Sequence, residues 1–94
     1  MFVRTTRFKM KQNAMSQVRE IAEGTKGQVS KMEGMQKSYC CVDDSGNGLL
    51  VAVWESEEKA KAGGLQAKAV WASIAEHMDG EPQVTEYRTV VAVK

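Results

Sequence analysis

Apolar and polar side chains alternate at the start of the chain, where residues 2–10 place every second residue on the same side. One side carries Phe2, Arg4, Thr6, Phe8 and Met10, and the other carries Val3, Thr5, Arg7 and Lys9. A period of two is typical of a strand. We therefore predict a first strand over residues 2–10.

Apolar residues then recur at helical spacing, beginning after Asn13, which is a candidate N-cap, and ending before Gly34. The recurring positions are Ala14, Val18, Ile21, Thr25, Val29 and Met32. Gly24 and Gly27 interrupt this pattern, and each weakens a helix by about 1 kcal/mol relative to alanine. We predict a first helix that depends on packing for its stability.

Two β-rich segments, residues 36–43 and 48–55, are joined by Asp44-Ser-Gly-Asn-Gly48, a cluster of turn-forming residues. This pattern predicts a hairpin. Its second segment ends just before Ser56, which is suited to cap a second helix.

The second helix carries Glu57 and Glu58 in its first turn, where acidic residues are favourable. Gly63 and Gly64 interrupt it, so we predict a short turn, a kink and a firmer segment from Leu65 to Met78. Asp79-Gly80 marks its end, and residues 83–93 form the last predicted strand.

The order βαββαβ predicts an α+β fold, the ferredoxin-like sandwich, with a four-stranded antiparallel sheet and both helices on one face. The third strand, Leu49–Trp54, is apolar on both sides, and Thr89–Val93 is nearly so. Alternation would be expected if the second face met water. The simplest cover is a second copy, so we predict a homodimer through the open sheet face. A monomer with an exposed apolar sheet is the alternative.

Composition limits the size and the setting of the protein. Its 94 residues, 43% of them hydrophobic, predict a single domain over 1–94. The first residues lack an apolar signal segment, and the longest uncharged run is too short to span a bilayer, so we expect a cytoplasmic protein with no membrane partner. Cys40 and Cys41 are interpreted as small buried apolar residues.

Several kinds of chemistry find little support in the sequence. One histidine and two neighbouring cysteines do not supply a metal site, and no nucleotide or phosphate motif occurs, so no cofactor is expected. The formal net charge is +1. The third strand also lacks the stacking aromatic residues of RNA-recognition domains, so no nucleic-acid partner is predicted.

The βαββαβ order, the apolar strands and the phrase Val53-Trp54-Glu55-Ser56 before the second helix resemble the antibiotic biosynthesis monooxygenase family of dimeric α/β barrels. This resemblance covers nearly the whole chain. It implies a dimeric α/β barrel, and the family includes cofactor-free oxygenases of polycyclic phenols and relatives that cleave haem. The first strand lacks the asparagine of the haem-cleaving members, and the place of a histidine common in the family falls near Gly64.

Candidate site residues were therefore sought from the helical pattern. On a wheel centred on Ile74, Trp71 lies at about +60° and His77 at about −60°, at opposite edges of the core stripe. His77 is the candidate general base, with an exposed helix-end residue as the alternative. Candidate substrate-binding residues are Trp71, Trp54, Tyr39, Tyr87, Arg7 and Arg88, each of which could instead serve packing or the surface.

These observations predict that the protein binds a small apolar or aromatic molecule between the second helix and the sheet. One hypothesis is a cofactor-independent monooxygenase acting on a phenolic molecule, since an electron-rich phenolate can itself reduce dioxygen. The alternative is a non-catalytic homodimeric module for small-ligand binding or assembly. Haem binding is a lesser variant of the binding hypothesis.

Overall fold

Four strands form one antiparallel sheet in the order β2-β3-β1-β4. In the computed structural model, which describes residues 1–94, the strands are β1 Phe2–Lys9, β2 Met35–Val42, β3 Asn47–Trp54 and β4 Gln83–Tyr87. Helical segments connect β1 to β2 and β3 to β4. The predicted α+β ferredoxin-like fold is confirmed.

The helical segments are shorter and more numerous than predicted. They are α1 Val18–Gly24, α2 Lys26–Val29, α3 Glu57–Ala62 and α4 Gly64–Ile74, with 3-10 turns at Gln12–Gln17 and Ala75–His77. None of these helices is both long enough and apolar enough to cross a bilayer.

The first predicted helix is divided, and Asn13 is not its N-cap. The segment opens with the 3-10 turn, which Lys11 precedes without a side-chain cap. A second break falls at Thr25, whose hydroxyl donates a hydrogen bond to the carbonyl of Ala22 at 2.8 Å. The flanking Gly24 and Gly27 remove the side chains that would otherwise favour an unbroken helix.

Ser56 caps the second helical region as predicted, because its hydroxyl accepts a hydrogen bond from the Lys59 amide at 3.2 Å. The predicted interruption is also confirmed, since Gly63 separates α3 from α4. A Cβ at Gly63 would overlap the ring of Trp54, so the helix pair can lie on this ring only with glycine there. The α-helix ends at Ile74 rather than at the predicted Met78.

The last strand is shorter than the predicted 83–93, because β4 ends at Tyr87. Arg88 turns aside to form a bidentate pair with Glu57, with distances of 2.7 and 2.8 Å. Residues 89–94 pair with no strand of the chain, and Val91 and Val93 are 73% and 96% exposed. We call residues 89–94 the C-terminal tail.

The helix-covered face of the sheet carries two separate groups of buried residues. The first group consists of Phe2, Met32, Ala52, Trp54 and Ala60. The second consists of Met10, Ala14 and Met78, and β1 is linked to this region by an isolated bridge between Met10 and Met78. The core therefore lies at two ends of the layer between sheet and helices.

The other face of the sheet has no helix over it. Pairing places three rows across β4, β1, β3 and β2 on this open face. The rows are Tyr87-Val3-Val53-Lys37, then Thr85-Thr5-Val51-Tyr39, then Gln83-Arg7-Leu49-Cys41. The apolar side chains of this face come mainly from β3, with Val3 of β1, whereas Thr5 and Arg7 make the rest of β1 polar there.

The interpretation of Cys40 and Cys41 as buried residues is wrong. Both are free thiols in exposed positions. The physical reason is the sheet order, because β2 is an edge strand with neighbours on one side only. Their side chains point to opposite faces, as adjacent strand residues must.

Candidate functional site

A cavity of about 680 Å³ lies between the helix-covered face of the sheet and the helical layer. Its lining includes Met10 from the second buried group, together with Val29 and Val70, which pack against the first. The cavity therefore fills the space that separates the two parts of the core. Fourteen of its twenty lining residues are hydrophobic.

An aromatic pair forms one wall of this cavity. The rings of Phe8 and Trp71 lie 5.4 Å apart between centroids and are tilted by 59°. Phe8 lies flat toward the sheet because Gly48, its neighbour across β1 and β3, has no side chain, and a Cβ there would overlap the ring. A tilted aromatic pair offers both a ring face and ring edges to an apolar ligand.

The opposite wall comes from the first helical region. Its apolar side chains turn inward at helical spacing in Met15, Val18, Ile21, Ala22 and Val29. Residues of both α1 and α2, on either side of the break at Thr25, border the same cavity. The floor is formed by Leu50 of β3 and by residues of β2.

Charged groups line only one side of the cavity. Arg19, Glu23 and Lys26, from α1 and α2, are exposed and lie next to the apolar lining. The charged groups of these side chains make no hydrogen bond and no ion pair within the chain. We call these three residues the charged side of the cavity.

Two residues of β2 add the remaining titratable groups of the lining, Tyr39 and Cys40. Partial burial raises the pKa of the Cys40 thiol, and the nearby Cys41 adds to this effect. Cys40 is therefore a neutral thiol near pH 7, so it brings no negative charge to the cavity.

The structure brings two of the predicted substrate-binding residues to this cavity. Trp71 forms part of its aromatic wall. Tyr39 borders the cavity from β2, but strand pairing places its side chain on the open face, where the residue is 55% exposed. Trp54 lies elsewhere, in the first buried group, where it is 1% exposed and has no hydrogen-bond partner for its indole nitrogen.

The guanidinium of Arg4 stacks over Trp54 at 5.9 Å from the ring centroid. Arg4 also binds Glu86 at 3.0 Å and donates to the carbonyl of Ala60 at 3.2 Å. These contacts tie β1, β4 and α3 together around the tryptophan, which makes this a structural cluster.

Three further predicted residues also lie away from the cavity. Tyr87 and Arg7 are on the open face of the sheet. Arg88 lies at the end of β4, where its guanidinium hydrogen-bonds to Glu57 and holds the pKa of that carboxyl at about 2. Lys61 contributes to the same effect from 3.4 Å.

His77, the candidate base, lies in the 3-10 turn that follows α4 and does not line the cavity. Its side chain is 28% exposed and is 3.7 Å from Glu76. Its carbonyl accepts a hydrogen bond from the Lys11 amide at 2.9 Å. The next residue, Met78, packs with the lining residues Trp71 and Ile74, but neither Met78 nor His77 lines the cavity itself.

Sequence reasoning missed most of the helical wall opposite Trp71. The spacing of Val18, Ile21 and Val29 predicts a helix but does not show which cavity its apolar side borders. The spacing of Arg19 and Lys26, seven residues apart and thus on one helix face, was the available signal for the charged side. No group of three or more His, Cys, Asp or Glu side chains arranged to hold a metal ion occurs.

The sheet order and the single helical layer define the ferredoxin-like α+β class, and solved structures share this fold. One, provisionally named an antibiotic biosynthesis monooxygenase, is from Nitrosomonas europaea: TM-score 0.79, 15% identity, covering 97% of this chain and 100% of its own. A similarly named structure from Deinococcus radiodurans has a TM-score of 0.80, 10% identity and coverage of 100% and 97%.

A protein of unknown function from Nitrosomonas europaea has a TM-score of 0.81 at 12% identity, covering 97% of this chain and 90% of its own. No protein-family model matches the sequence, and no curated protein is significantly similar to it. The chain thus has the fold found in structures named antibiotic biosynthesis monooxygenases.

Proposed function

We propose that the protein binds a small aromatic or otherwise apolar molecule in the cavity and oxygenates phenolic ligands there without a metal or flavin. The observation that carries this proposal is the cavity itself, about 680 Å³ of largely apolar space with an aromatic wall at Trp71 and Phe8. This volume is within the usual range for small-molecule sites. Independent support for the proposal comes from solved structures of the same fold that are named as monooxygenases.

The chemistry requires the substrate to supply every electron. A phenolate transfers one electron to dioxygen, and the resulting radicals combine to form a C–O bond para or ortho to the phenolic oxygen. Loss of the proton at that carbon then breaks the O–O bond and releases water, leaving a quinone. One oxygen atom enters the product and the other leaves as water, so phenol plus dioxygen gives quinone plus water.

The roles proposed for the lining follow from this sequence of steps. Trp71 and Phe8 hold the flat ring, and the apolar surroundings exclude water from the reactive carbon. Tyr39 borders the opening on the β2 side. His77 is the proposed final acceptor of the phenolic proton, and because it does not line the cavity, the transfer requires a bridging water or a shift of the turn at Ala75–His77.

The test is oxygen uptake by the purified protein with a panel of hydroquinones and polycyclic phenols. We expect uptake by the natural chain, a fall in kcat/KM for Trp71→Phe, and a fall in kcat with little change in KM for His77→Ala. Asp79→Asn, which changes an exposed carboxylate just after the turn that makes no side-chain hydrogen bond or ion pair, is the matched control. Ligand binding without any uptake would contradict the oxygenase proposal.

That outcome would favour the second candidate, a non-catalytic module that binds a small ligand. One observation supports it directly: the cavity lining contains no histidine, and its titratable residues are Arg19, Glu23, Lys26, Tyr39 and Cys40. The two candidates share the binding site and differ only in the chemistry that follows.

We further propose that the working form is a homodimer joined through the open sheet face. The centre of that face is apolar at Val3, Leu49, Val51 and Val53, and Tyr39 and Tyr87 flank it. The C-terminal tail supports the same proposal, because its valines are exposed and its β-rich sequence has no strand to pair with in one chain. Both features gain cover in a dimer.

A further inference from the structure

The charge distribution around the cavity is one-sided. The aromatic wall and the sheet floor are apolar, whereas every formally charged residue of the lining belongs to α1 or α2. A ligand that matches this distribution has an apolar ring system at one end and a charged or strongly polar group at the other.

The charged side carries more positive than negative charge. Arg19 and Lys26 contribute two cations and Glu23 contributes one carboxylate, and none of the three is neutralised by an ion pair within the chain. Cys40 adds no negative charge, because partial burial raises the pKa of its thiol. The formal net charge of the whole chain is only +1, so this preference for an anion belongs to the site rather than to the surface as a whole.

We propose that Arg19 and Lys26 hold the anionic form of a phenolic ligand, with its rings against Trp71 and Phe8 and its oxygen at the charged side. This inference rests on the proposed function of the cavity and assigns the two side chains that would hold the oxygen of the ligand. Opposite charges favour the ionised form of a bound group, and the apolar lining strengthens their effect.

The inference resolves a difficulty in the proposed chemistry. Electron transfer to dioxygen requires a phenolate, yet the lining holds no histidine to take the proton. Stabilisation of the phenolate by two cations lowers the cost of ionisation, so that the proton can pass through a bridging water to the distant His77. Arg19 and Lys26 then act on the ligand directly, and Glu23 opposes them.

The test measures the ionisation of 2-naphthol when it is bound, since its phenol and phenolate forms absorb at different wavelengths. The neutral analogue 2-methoxynaphthalene reports on the apolar cavity alone. We expect the bound naphthol to have a lower pKa than the free one. Arg19→Gln and Lys26→Gln should each weaken phenolate binding about two- to fivefold, as expected for partly exposed charge pairs.

Two further variants make the test specific. Glu23→Gln is expected to act in the opposite direction and strengthen phenolate binding, because it removes the opposing charge. Lys31→Gln, which neutralises an exposed lysine outside the lining, is the matched control and should change neither ligand. All variants should bind 2-methoxynaphthalene with nearly unchanged affinity.

The outcomes distinguish the proposed anion site from the proposed apolar binding site. The anion site is refuted if 2-methoxynaphthalene binds but the pKa of naphthol does not change on binding. It is also refuted if Arg19→Gln and Lys26→Gln behave as Lys31→Gln does. In both cases the apolar binding site stands. If neither ligand binds, the proposed function of the cavity falls and the anion site falls with it.

Discussion

The ring of Phe8 occupies the space above Gly48, its partner across strands β1 and β3, where any larger residue would overlap it. The flat position of Phe8 places its ring 5.4 Å from that of Trp71 and leaves the rest of the cavity open. The aromatic wall of the candidate site therefore requires the glycine at position 48 of β3.

Gly48→Ala is expected to push Phe8 toward the cavity, since the added methyl group overlaps the ring. We expect a loss of about 1–3 kcal/mol in unfolding free energy, as for other overpacked sites, and weaker binding of 2-methoxynaphthalene in a fluorescence titration. Gly64→Ala is the control, because a Cβ there meets no atom within 4 Å. Equal ligand affinity in both variants would show that Phe8 does not define the cavity.

Val51→Lys is expected to break the proposed homodimer. Val51 lies at the centre of the open face, between Thr5 and Tyr39, and a lysine there would place a charge inside the interface. In light scattering, the natural chain should have twice the 10.4 kDa mass of one chain, and the variant should have the mass of one. Ala72→Lys adds the same charge at an exposed position of α4 and should remain dimeric.

Ser56→Ala is expected to lower the unfolding free energy by about 1 kcal/mol, because it removes the hydroxyl that caps α3. Ser73→Ala is the control within the same helical region. Its hydroxyl only bonds back to the carbonyl of Val70, so alanine should be neutral or slightly stabilising there. Denaturant titration measures both, and a loss of equal size in the two variants would contradict the capping role.

Glu57→Gln tests the ion pair that ends β4. The pKa of Glu57 falls from 4.5 to about 2 in the folded chain, chiefly through its hydrogen bonds to Arg88. A lowered folded pKa stabilises the protein above the unfolded value, and this contribution is lost as the pH falls from about 4.5 to about 2. The stability difference between natural chain and variant should therefore shrink over that range.

The matched control for this prediction is Glu58→Gln, at the next residue of the same helical turn, whose side chain forms no ion pair. Unfolding by denaturant at a series of pH values gives the comparison. A difference between Glu57→Gln and the natural chain that is constant with pH would show that the ion pair does not form in solution.

Local signals explain which elements could be predicted from the sequence. The alternation in β1 and the serine at position 56 act over a few residues, and both gave the correct element. The prediction of the first helix was wrong at its start and at Thr25. A 3-10 turn and a helix with a break have nearly the same apolar spacing as a regular helix. Gly24 and Gly27 indicated that the helix is weak, but they did not show that it breaks at Thr25.

The last strand shows a different limit. Residues 89–93 are strongly β-forming, and the predicted strand over 83–93 followed from that propensity. A strand also needs a neighbour, and Arg88 leaves the sheet to bind Glu57, 31 positions earlier. Such a long-range contact has no signature in the local sequence.

The cavity was predicted only in part, for the same reason. Residue type alone points to Trp71, which does line the cavity, and to Tyr39, which borders it with its side chain on the other face of the sheet. Phe8 and the helical wall depend on which elements pack together. The role of Gly48 is visible only once its partner across the strands is known. Five other candidate site residues do not line the cavity, and their roles stay predictions: Trp54, Tyr87, Arg7, Arg88 and His77.

The adjacent positions of Cys40 and Cys41 offer a consequence for measurement. One thiol faces the cavity and its neighbour faces the open side of the sheet, and both are free and exposed. Two variants that each keep one of these cysteines would therefore carry a single reactive thiol at one of two adjacent positions of β2. The alkylation rate at Cys40 would follow ligand occupancy, and the rate at Cys41 would follow subunit association, each readable by mass spectrometry without any added label on the ligand.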